Sequence, residues 1–67
     1  MSDTETIRAE IKKLSAKAMQ AKMDLHDLSE ELPQGLERVM SVAQRVVDSY
    51  VALDGKKAEL KALEGAA

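Results

Sequence analysis

Cysteine is absent from the 67 residues, which excludes disulfides, thiolate metal sites and cysteine nucleophiles. Tryptophan and phenylalanine are missing as well, and Tyr50 is the single aromatic side chain. Recognition of single-stranded nucleic acid by stacking needs exposed aromatics interleaved with basic residues, and that pattern is not present. One histidine and no glycine-rich phosphate loop leave no plausible nucleophile–base pair, and Ser15, Ser29, Ser41 and Ser49 read as ordinary polar positions on helix flanks. The chain is therefore expected not to be an enzyme and to need no cofactor. No apolar run approaches the roughly 18 residues that a membrane span requires, and the polar opening Met1-Ser2-Asp3-Thr4-Glu5 is unlike a signal peptide. A net charge of −2 favours neither nucleic acid nor an anionic membrane by bulk attraction. A cytoplasmic protein is expected.

What the chain has is periodicity. Ile7, Ile11, Leu14, Ala18, Ala21, Leu25, Leu28 and Leu32 follow one unbroken four-three rhythm. Such a narrow stripe marks the seam of a coiled coil, and a facing helix must cover it. A second set follows the only turn signal, Pro33-Gln34-Gly35: Leu36, Val39, Ala43, Val46, Tyr50, a valine or leucine around 51–53, and Leu60. The fold predicted is all-α, an antiparallel two-helix hairpin forming a single domain over residues 1–67. The first helix is expected over about 4–32, opened by an S-x-x-E capping box at Ser2 and Glu5 and stopped by Pro33. The second is expected over about 36–64, with Gly65 as a left-handed cap. Asp54-Gly55 is turn-prone, but Leu60 and Leu63 resume the pattern, so the helix is expected to continue through it.

Folding at the corner predicts eight layers. They are Leu32 with Leu36, Leu28 with Val39, Leu25 with Ala43, Ala21 with Val46, Ala18 with Tyr50, Leu14 with Leu53, Ile11 with Lys57, and Ile7 with Leu60. Large residues face small ones through the middle. A lone hairpin covers only one side of each stripe, and Met40 and Val47 widen the apolar face of the second helix. Homodimerisation into a four-helix bundle is therefore expected.

One row is left over by this core. Met19, Met23, His26 and Glu30 step by four, three and four along the opposite face of the first helix. With Asp27 they form the candidate contact surface for another protein, since methionine side chains adapt to varied partners. The alternative is that the row belongs to the dimer seam. His26 and Glu30, one turn apart, could share a metal ion, although an exposed histidine beside a helix neighbour is the simpler description. Asp24, Asp27, Glu30, Glu31 and Glu37 make the corner end acidic, whereas Arg8, Lys12, Lys13, Lys17 and Lys22 make the open end more basic. An acidic tip of that kind either is simply solvated or steers a basic partner.

Lys22-Met23-Asp24-Leu25-His26-Asp27-Leu28, followed by Glu31-Leu32-Pro33, resembles the signature segment of the small Rop-like nitrogen-fixation proteins encoded in nitrogenase gene clusters. Glu10-Ile11-Lys12-Lys13-Leu14 and Leu60-Lys61-Ala62-Leu63-Glu64 are similar too, so the resemblance spans most of the chain, with Asp54-Gly55 as a departure. It implies a dimeric helical hairpin that is accessory to nitrogenase, with no catalytic residues to carry over. The expected partners are the protein itself and the nitrogenase molybdenum–iron protein or its assembly factors. The function so implied is maturation, stabilisation or protection of that component. The alternatives are a small metal carrier for the same pathway, using His26 and nearby carboxylates, and a Rop-like RNA-binding regulator.

Overall fold

The computed structural model describes residues 3–65. Helix α1 spans Asp3–Glu31, a single 3₁₀ turn covers Leu36–Arg38, and helix α2 spans Val39–Gly65. The helices fold back on each other into a rod measuring 51 × 16 × 13 Å between Cα atoms. No glycine or proline interrupts α1, and Asp3 and Glu5 in its first turn complement the positive end of the helix dipole. The Ser2 half of the expected capping box lies outside the described residues.

At the corner the chain leaves α1 through hydrogen bonds from Gln34 N–H to the Glu31 carbonyl (3.1 Å) and from Leu36 N–H to the Pro33 carbonyl (3.3 Å). Gly35 adopts the left-handed conformation, with φ of 79°. Its carbonyl accepts a bond from Arg38 N–H at 2.9 Å. A Cβ at Gly35 would lie 2.8 Å from Leu28 Cδ1. Gly35→Ala is therefore expected to lower stability by about 1–3 kcal/mol, by combining a disfavoured φ with displacement of a buried leucine. Gly35→Asn, which tolerates the left-handed backbone better, should lose less when both variants are compared by urea titration.

Two expectations about α2 are corrected. Leu36 opens a 3₁₀ turn, and the α-helix proper begins only at Val39. Gly65 does not form a left-handed cap; it is the last residue of α2, and Gly35 is the described residue with positive φ. A Cβ at Gly65 or at Gly55 would have nothing within 4 Å, so no tertiary contact draws the backbone out of the helix at either place. Helix α2 accordingly passes through Asp54-Gly55 unbroken.

Burial defines the seam. Ile7, Ala18, Ala21 and Leu28 of α1 are buried together with Val42 and Leu53 of α2, and Ile11, Leu14 and Leu25 are half-buried. Val39, Val46, Leu53 and Leu60 hold the α2 seam as expected. The intervening positions are each one residue earlier than predicted: Gly35, Val42, Ser49 and Lys56 replace Leu36, Ala43, Tyr50 and Lys57. Val42 is buried while Ala43 is half-buried; Lys56 is half-buried while Lys57 is exposed; and Leu36 is 63% exposed. The reason is that α2 carries two adjacent apolar rows, and one residue corresponds to about 100° of helix rotation. The row containing Val42 meets α1, in step with it: Leu25 lies level with Val42, Ala18 with Ser49 and Ile11 with Lys56.

Ion pairs across the helices agree with this register. Arg45 Nη2 lies 2.6 Å from Asp24 Oδ2, Lys56 Nζ 2.7 Å from Glu10 Oε2, and Arg8 Nη2 2.5 Å from Glu64 Oε2. Ala18 and Ala21, each 1% exposed, let the helices approach closely at mid-rod.

Candidate functional site

The hairpin has two unlike broad faces. Residues that precede seam positions line one of them: Glu10, Asp24 and Glu31 of α1 beside Arg38, Arg45 and Glu59 of α2. This face is polar. The Arg45 guanidinium and then the Gln20 amide, which donates to Oδ1 at 2.9 Å, hold the Asp24 carboxyl below the usual carboxylate range. Glu10 and then Glu59 hold the Lys56 ammonium above the usual lysine value. A shallow cavity of about 260 Å³ opens near the corner between Asp24, Asp27, Leu28, Glu31 and Arg38.

Residues that follow seam positions line the other face, where the Arg8–Glu64 pair lies. Here α2 presents Leu36, Met40, Ala43, Val47 and Tyr50 at steps of four, three, four and three. Met40 is 82% exposed, Leu36 and Val47 are exposed, and Ala43 and Tyr50 are half-buried. Leu36, Ala43 and Tyr50 were expected in the core. Their four-three spacing with Met40 and Val47 was the available signal of a second apolar row, and burial of Val42 in the seam leaves that row uncovered.

The predicted contact residues divide between this face and the outer edge of α1. Met19 and His26 lie at the border of the apolar face; Met23 and Glu30 point outward from the rod; Asp27 turns toward the polar face and lines the corner cavity. All five are exposed, Met19 and Met23 at 53% each. His26 Nε2 sits 3.2 Å from Glu30 Oε1, and the Ser29 hydroxyl donates to the His26 carbonyl at 2.6 Å. The row is therefore a continuous exposed strip, with Asp27 to one side of it. Among the described residues no group of three or more His, Asp or Glu side chains is placed to hold a metal ion. The helices also include none long and apolar enough to cross a membrane, among the described residues.

A family model described as Rop-like matches residues 2–65. The chain belongs to the Rop-like family. It is 51% identical over 67 residues to a UPF0437 protein of Azorhizobium caulinodans, an alignment covering 100% of this chain and 97% of that relative. It is 42% identical over 65 residues to a Frankia alni protein named for its position in the nifX-nifW intergenic region, covering 97% of this chain and 71% of the relative. An NMR structure from the Northeast Structural Genomics Consortium superposes with a TM-score of 0.87 at 42% identity, covering 97% of this chain and 92% of that one. The Rop-like hairpin is thus shown by sequence and by structure together.

Proposed function

We propose that this Rop-like hairpin is a cytoplasmic, non-enzymatic accessory protein of nitrogen fixation that acts by binding. Its partner in this reading is the nitrogenase molybdenum–iron component or an assembly intermediate, which it helps to mature, stabilise or protect. The observation that carries the reading is the nifX-nifW position of the Frankia alni relative. The contact surface we assign is Met19, Met23, His26, Asp27 and Glu30. None of the five is buried in the seam, so the hairpin core is complete without them and their methionines offer adaptable apolar contact. The acidic rim would steer a basic surface into register. The hairpin acts as a homodimer in this reading, because a two-helix rod leaves Leu36, Met40 and Val47 uncovered.

The test is capture of purified molybdenum–iron protein by wild type and by a combined Met23→Lys, His26→Ala, Asp27→Lys variant. The variant should keep its helicity and lose at least tenfold in capture. Undiminished capture would contradict this surface and point to Arg38, Arg45 and Asp48. Loss of helicity together with capture would make the three residues structural.

A further inference from the structure

The uncovered apolar row of α2 is not spread along the rod. Leu36, Met40, Ala43, Val47 and Tyr50 occupy the corner half, centred on Ala43. The seam register places Ala43 at the height of Asp24 on α1. The exposed strip from Met19 to Glu30 is centred at that same height. The middle of the rod is lower, at the layer of Ala18 and Ser49. Charge follows the same division: on this face Lys12, Lys57 and Lys61 all lie nearer the open end than the layer of Leu14 and Leu53.

From this coincidence we infer that two copies dock as a staggered antiparallel dimer, with Ala43 at the two-fold axis and only the corner halves overlapping. The inference rests on the homodimer reading above and adds its geometry. Docking about the middle of the rod would set Leu36 and Met40 against Lys61 and Lys57 of the second copy. Sliding the copies until their Ala43 residues meet sets Leu36 against Tyr50 and Met40 against Val47, with the smallest side chain at the axis. Lysines 12, 57 and 61 then fall outside the overlap, and Lys22 is the one lysine left within it.

The corners must point in opposite directions. With corners together, α2 of one copy would lie on α1 of the other, and the apolar row would meet Lys22, His26 and Ser29. The overlap is about 27 Å long and two helices of about 10 Å wide, or on the order of 500 Å² per copy. Its total is close to the roughly 1,000 Å² that a specific interface needs, so the dimer is expected to be reversible. The stagger also gives the contact surface a second half: at this register the Met19, Met23 and His26 strips of the two α1 helices lie side by side across the axis. Mid-rod docking would shift them apart by about 18 Å along the rod.

The absence of cysteine permits a clean test. A nitroxide on Gln34→Cys, exposed in the corner turn, should report an interlabel distance near 27 Å in the staggered dimer. A distance near 45 Å, the mid-rod value, would overturn the stagger while leaving the homodimer reading standing. No dipolar coupling at about 100 μM would overturn both. Independently, Ala43→Cys should oxidise to a cross-linked dimer, because a disulfide requires Cα atoms within about 7 Å. Failure of Ala43→Cys to cross-link, with Tyr50→Cys cross-linking in its place, would also reject the stagger.

Discussion

Leu28→Ala is expected to lower the stability of the hairpin by about 2–5 kcal/mol, the range for emptying a buried leucine site. A chain of this size has a total of only about 3–10 kcal/mol to lose. Leu28 is buried at the corner end of the seam, and its Cδ1 atom fills the space beneath Gly35. Truncation therefore removes a seam layer and the floor of the turn at once. Loss of the turn would free α2 from α1, so the far-ultraviolet melt should broaden as well as shift. Leu63→Ala provides the comparison, because Leu63 is exposed and its truncation should cost well under half as much. Equal losses for the two variants would mean that the seam does not run where burial places it.

Ala21→Leu is expected to act in the opposite sense, through crowding. Ala21 is almost completely enclosed at the level of Val46, where two small α1 residues in succession draw the helices together. Three added carbons cannot be seated there without separating the axes, which costs about 1–3 kcal/mol. The separation would also weaken the Asp24–Arg45 pair one layer away, whose oxygen–nitrogen distance is 2.6 Å. Ala16→Leu, on the exposed outer surface of α1, makes the same chemical change without crowding and should stay within about 0.5 kcal/mol. Equal stability of the Ala21→Leu and Ala16→Leu variants in a thermal melt would contradict the close approach at mid-rod.

The α1 half of the seam was legible in the sequence because its single apolar row leaves no alternative: Ile7 through Leu28 line up on one face, and the structure buries or half-buries all of them. The corner was equally plain, since Pro33 and Gly35 bracket the one break in the pattern. Helix α2 was harder to read. From Leu36 to Tyr50 it carries apolar residues at two adjacent heptad positions, and periodicity does not say which faces α1. Ser49 and Lys56 hide the true row, because a serine and a lysine look like surface positions. The burial of Val42, the exposure of Leu36 and the cross-helix ion pairs such as Lys56 with Glu10 decide the phase. The candidate contact surface was legible as a row of exposed residues, Met19, Met23, His26 and Glu30. That Met19 and His26 border the apolar face while Asp27 turns to the corner cavity depends on where α2 lies, which the sequence of α1 does not encode.

Engagement of nitrogenase through the exposed strip of α1 is the proposal on which the functional reading rests. The most direct measurement is an amide NMR titration of the isotopically labelled chain with purified molybdenum–iron protein. The predicted result is selective broadening of Met19, Met23, His26, Asp27 and Glu30, with amides around Arg45 and Asp48 changed far less. Uniformly unchanged spectra at partner excess, or broadening confined to Arg38, Arg45 and Asp48, would contradict it.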